Sequence, residues 1–140
     1  DNQIISDDEI KRLLTNGLQL IYEHYQDHLI IHFLINKFNI DGQTCFSIKN
    51  KNINDYLCLD LIFICINKDL IKQFKKLFQK KEIHLKKIFS EDYLKQYKNG
   101  DDNIIKTVIK IENGANNLEV KLVPKIHRKK GFFENFFLSF

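Results

Sequence analysis

The sequence predicts an α+β fold: a single domain with a mainly antiparallel sheet of five or six strands and helices packed on one side. Three observations predict it. Apolar residues recur at helical spacing near the N-terminus and again over residues 67–81, alternating β-branched and aromatic stretches lie between and after them, and turn signals at Asp41-Gly42 and Asn113-Gly114 join neighbouring strands. A chain of 140 residues is the size of one ordinary domain and long enough to bury a core without metal or disulfide staples. The body is expected over 1–130, followed by an aromatic tail over 131–140.

In chain order, Ser6-Asp7-Asp8-Glu9 forms a capping box, with Ile5 and Ile10 as a hydrophobic staple beside it. A helix follows, carrying Ile10, Leu13, Leu14, Leu18 and Ile21 on one face to about Tyr25. Gly17 inside it costs about 1 kcal/mol against alanine, which predicts a close packing contact. From His28 the pattern turns to strand, and "KFNIDGQTCFSIK" reads as a hairpin. An odd-length loop with a bulge is expected there, because it sets Phe38, Ile40, Phe46 and Ile48 on one face. "YLCLDLIFICI" is apolar on both faces and reads as a central strand.

Asn67 then caps the clearest helix, with Leu70, Ile71, Phe74, Leu77 and Phe78 on one stripe and lysines opposite. "EIHLKKIF" reads as a short strand, making 56–89 a strand-helix-strand unit. Ser90 caps the short helix "EDYLKQY". Two strands then carry Ile105, Ile109 and Ile111, and Leu118, Val120 and Leu122, around the Asn-Gly turn, and Pro124 marks an edge or an end.

The net charge is +4, yet Arg12 and Arg128 are the only arginines, and Ile, Lys and Asn crowd the chain. That bias suggests an AT-rich genome rather than selection for guanidinium contacts to phosphate, so nucleic acid ranks low among expected partners. The first residue is Asp1 and methionine is absent, as expected of numbering that starts inside a longer reading frame or at a processed end. No apolar run approaches a bilayer span. Cys45, Cys58 and Cys65 lack CxxC spacing and read as buried free thiols, which places the chain in an intracellular, reducing compartment, cytoplasmic or organellar.

Chemistry-bearing groups are sparse. With five glycines and no phosphate loop or GxSxG elbow, the familiar nucleotide and nucleophile signatures are missing, and neither cofactor nor metal is expected. His24, His28 and His32 are spaced by four, with Asp27 nearby. A metal site would need one continuous helix, whereas Asp27-His28 reads as a helix end and His32 as part of a strand. Asp60 interrupts the most apolar strand and is expected to face solvent or to accept hydrogen bonds from a neighbour. Cys58 with His84 would be a nucleophile and base only if their strands were adjacent. The lysine face of Lys68, Lys72, Lys75, Lys76, Lys80 and Lys81 reads as a solvated exterior.

The tail departs most from background. In "GFFENFFLSF", Phe132, Phe133, Phe136, Phe137 and Phe140 follow one helical face, preceded by Arg128, Lys129 and Lys130. A helix this short gains structure only by burial, and each phenylalanine withdrawn from water contributes about 1.5–3 kcal/mol. The docking site is the chain's own sheet, a partner protein, or a lipid interface. The sequence thus predicts a non-enzymatic protein-interaction or assembly domain of a larger complex, peripheral to a membrane if the tail meets lipid. The alternatives are a carrier of a small, lipid-like apolar ligand and, ranked below it, a nucleic-acid-binding accessory domain or an enzyme using Asp60 or Cys58.

Overall fold

The computed structural model describes residues 3–48 and 51–120. Helix α1 spans Asp7–His24, and the Ser6 hydroxyl accepts a hydrogen bond from the Glu9 backbone N–H at 3.2 Å, the expected cap. Ile10, Leu14 and Leu18 are buried on its inner face. A Cβ on Gly17 would sit 2.5 Å from Cδ1 of Leu61, so the glycine lets the helix close onto the sheet.

The sheet has three antiparallel strands. Strand β2 (His28–Ile40) lies between β3 (Gln43–Cys45) and β5 (Leu57–Asn67). A separate two-stranded ribbon pairs β1 (Gln3–Ile4) with β4 (Asn52–Ile53). The antiparallel α+β architecture is as expected, but five strands in one sheet are not found among the described residues. The centre is β2, not the doubly apolar β5, which has β2 as its sole partner among them. Above β3, residues 118–120 share the same edge of β2: the Ile35 N–H donates to the Leu118 carbonyl at 2.9 Å and the Val120 N–H to that of Phe33 at 2.8 Å.

Four further expectations are corrected. Ile40 pairs with Gln43, so the hairpin loop is the two residues Asp41 and Gly42, both at positive φ (51° and 82°), and Phe46 is left exposed. The Asp41 carboxylate stabilises that turn by accepting the backbone N–H groups of Asn54, Asp55 and Tyr56 at 2.9, 2.9 and 3.0 Å. Those bonds hold its pKa below the usual carboxylate range. Residues 83–90 form no strand. The Ile83 N–H is taken by the Phe78 carbonyl and the Ser90 N–H by the His32 ring, so the strand-helix-strand unit stops after α2 (Lys68–Gln79).

Residues Ile104–Glu112 are helix α4 rather than a strand. The Asn103 side chain caps its start, and Gly114 at φ 84° ends it, where a Cβ would be strained. The Asn-Gly pair therefore closes a helix instead of a hairpin. Thr107 and Ile111, one turn apart, are buried, and Ile111 packs with Tyr93 and Leu94 of α3 (Glu91–Tyr97).

Helices cover both faces of the sheet, not one. Strand alternation sends Phe33, Ile35 and Phe38 to α1, and Leu34 to the cluster of α3 and α4. Bulges in β2 between Ile30 and His32 and between Ile35 and Lys37 reset the alternation, which is why Ile30 faces α1 while His32 faces α3, and why Ile35 and Phe38, three apart, share a face.

Candidate functional site

Two places in the fold gather chemically distinctive groups. The first is a buried polar latch on the α3 side of the sheet. Because the Ser90 N–H donates to Nε2 of His32 at 3.1 Å, the ring proton sits on Nδ1, which donates to Oε1 of Glu119 at 2.9 Å. The Tyr93 hydroxyl donates to Oε2 of the same carboxylate at 2.7 Å, and Nδ2 of Asn116 donates to the Tyr93 oxygen at 3.1 Å. Oδ1 of Asn116 in turn accepts the Leu118 N–H at 3.0 Å.

His32 and Tyr93 are 3% and 1% exposed, and their rings pack with centroids 4.2 Å apart. Burial, reinforced by the Glu119 carboxylate, pushes the Tyr93 pKa well above its ordinary value, so the hydroxyl remains a donor. Both ring nitrogens and both carboxylate oxygens are engaged within the protein. The chemistry this supports is clamping: it ties α3 and residues 116–120 onto β2. Glu119 stands 87 positions from His32, and no spacing rule in the sequence joins them.

The second place is an open crevice of about 360 Å³ at the end of the α1 core. Its apolar wall is Ile4, Ile5, Ile10, Ile35, Phe38 and Phe46, and Asp7, Ser47 and Lys51 add polar groups. The volume lies at the lower end of the range of small-molecule sites. It forms where the β1–β4 ribbon, the first turn of α1 and the hairpin converge, so it has no local sequence signature.

The tail residues singled out from sequence, Arg128, Lys129, Lys130, Phe132, Phe133, Phe136, Phe137 and Phe140, lie outside the described residues, as do Leu122 and Pro124. The histidines are separated. Nδ1 of His24 donates to the Leu20 carbonyl at 2.8 Å at the end of α1, His28 pairs with Asp27 at 2.7 Å, and His32 belongs to the latch. Among the described residues no group of His, Cys, Asp and Glu could hold a metal ion. Asp60 accepts from Nδ2 of Asn36 at 2.8 Å and faces Lys37 at 3.7 Å, as expected of a half-exposed strand carboxylate.

The three cysteines are free, but none is fully buried as expected: Cys45 and Cys65 are half-buried and Cys58 is exposed. His84 lies in the segment without a strand, so no register sets it beside Cys58. The six lysines of the 68–81 segment are exposed, as expected. Among the described residues no helix is long and apolar enough to cross a membrane. Comparison with protein-family models, with curated proteins and with solved structures finds no match.

Proposed function

We propose that this chain is a non-enzymatic interaction or assembly domain of a larger complex, making contact through its aromatic tail and through the apolar crevice beside the hairpin. The observation that carries this reading is the crevice mouth. Ile4 and Phe46, both in its wall, keep 80% and 70% of their surface in solvent. Two large, exposed apolar side chains lining one crevice are more than the scattered singles of an ordinary surface, and a partner's side chain covering them would gain about 1.5–3 kcal/mol for each residue withdrawn from water.

The tail supports the same reading through its pattern of five phenylalanines beside three basic residues. The crevice volume favours a second reading, the carrier of a small apolar ligand. Vesicle flotation and a fluorescent fatty-acid titration, run on the full chain and on Phe46→Asp and Phe133→Asp/Phe137→Asp variants, separate the two. An interaction domain is expected to show no saturable fatty-acid binding and to lose vesicle or partner contact in the tail variant. One-to-one fatty-acid binding abolished by Phe46→Asp overturns it in favour of the carrier.

A further inference from the structure

We infer that α2 is a second contact surface, independent of the tail, and that it lies on an anionic lipid bilayer. The helix packs on the body through Ile71, yet Leu70, Phe74 and Leu77, at i, i+4 and i+7, keep 42%, 39% and 59% of their surface exposed. They form an apolar ridge along the helix with no cover from the rest of the described fold. Ile83, just beyond the helix end, is 52% exposed and extends the apolar surface.

Charge identifies what covers this ridge. Residues 68–87 carry eight lysines against Asp69 and Glu82, a net charge of +6, so with the whole chain at +4 the remaining residues sum to −2. Four of these lysines against Asp69 belong to α2 itself, so the helix that leaves an apolar ridge in water is net positive, and Lys80 and Lys81 continue the charge just past its end. Lys68 donates to the Gln26 carbonyl at 2.6 Å and Lys72 pairs with Asp69 at 2.8 Å. Lys75, Lys76, Lys80 and Lys81 supply the remaining exposed charge of the helix and its end.

An amphipathic helix with leucine and phenylalanine on one side and lysine on the other suits the bilayer interface. Its apolar side chains enter below the headgroups while long lysine stems carry their ammonium groups up to lipid phosphates. A protein partner would need acidic groups framing an apolar groove. A bilayer containing anionic lipid presents both chemistries at once and over any length of helix.

The test is flotation of the full chain with phosphatidylcholine vesicles with and without phosphatidylserine, beside three full-chain variants: Leu77→Asp, Lys75→Glu/Lys76→Glu, and the tail variant Phe133→Asp/Phe137→Asp. The altered α2 residues are exposed, so thermal melts of the first two variants are expected to match the parent. Binding is expected on phosphatidylserine vesicles, to weaken with added salt, and to fall about tenfold or more in each α2 variant. The tail variant is expected to keep a component of binding that Leu77→Asp removes. Undiminished flotation of both α2 variants overturns the inference, and if the tail variant alone fails to float, the tail reading stands without it. Absence of flotation by the parent chain overturns the bilayer as occupant. So does a solution mass that drops from dimer to monomer in Leu77→Asp, which would make a second copy the cover.

Discussion

On the α1 side of the sheet, Phe33 stacks on Phe63 with ring centroids 4.4 Å apart, and Ile35 and Phe38 join Leu14 and Leu18 in an apolar core to which none of the buried polar residues described, His32, Thr107 and Asn116, belongs. One residue away along the same strand, on the other side, His32 meets Glu119, Tyr93 and the N-terminus of α3 through a chain of hydrogen bonds. The first face is closed by non-directional burial, which tolerates a small shift of the helix. The second is closed by donors and acceptors that must meet within tenths of an ångström. One strand thus separates a core that supplies stability from a latch that supplies position.

The comparison breaks most visibly at Phe33. Phe33→Ala removes a ring 1% exposed and is expected to cost about 3–5 kcal/mol, read as a lower denaturant midpoint at unchanged slope. On the other face, Glu119→Ala strands the Nδ1–H of His32 and leaves the Tyr93 hydroxyl without its acceptor, for an expected loss of about 2–4 kcal/mol. The two are told apart by amide exchange. The Val120 amide is expected to lose protection in Glu119→Ala while amides of α1 keep theirs, and uniform loss in both variants would erase the distinction between the faces.

The smallest effect is in pH. The folded-state pKa of Tyr93 is raised by burial first and by Glu119 next, so its contribution is fully present below the unfolded value of about 10 and is lost as pH rises above it. Tyr93→Phe is expected to cost about 1 kcal/mol at neutral pH and to flatten the alkaline limb of a stability profile. An unchanged limb would show that the hydroxyl is not sealed.

Helix starts were the most legible feature of the sequence. Ser6, Asn67 and Ser90 each accept the backbone N–H groups their positions predict, because a cap is decided by residues within one turn. The failures lie where the same local signal serves two ends. Asn113-Gly114 supplies a positive φ equally well to a hairpin and to a helix C-terminus, and α4 is helical with Ile111 and Val108 packed in the α3 cluster while Ile104, Ile105 and Ile109 stay exposed. Apolar residues on both faces of β5 signalled cover above and below, not neighbours to left and right, so the strand read as central stands at an edge. The latch was unreadable for a different reason: His32 was visible, but its carboxylate partner is brought to it only by the finished fold. The crevice likewise belongs to the meeting of three elements.

The position of β5 has a consequence for solubility. Among the described residues its outer edge has no strand beside it for eleven residues, with no proline or lysine in the strand itself, and such a row of backbone donors and acceptors is a template for further chains. Asp60 is the one ionised side chain in that row. An incoming apolar strand would have to bring its own residues against that carboxylate, so the residue that looked like an anomaly in the sequence acts as a gatekeeper against stacking of sheet on sheet edge.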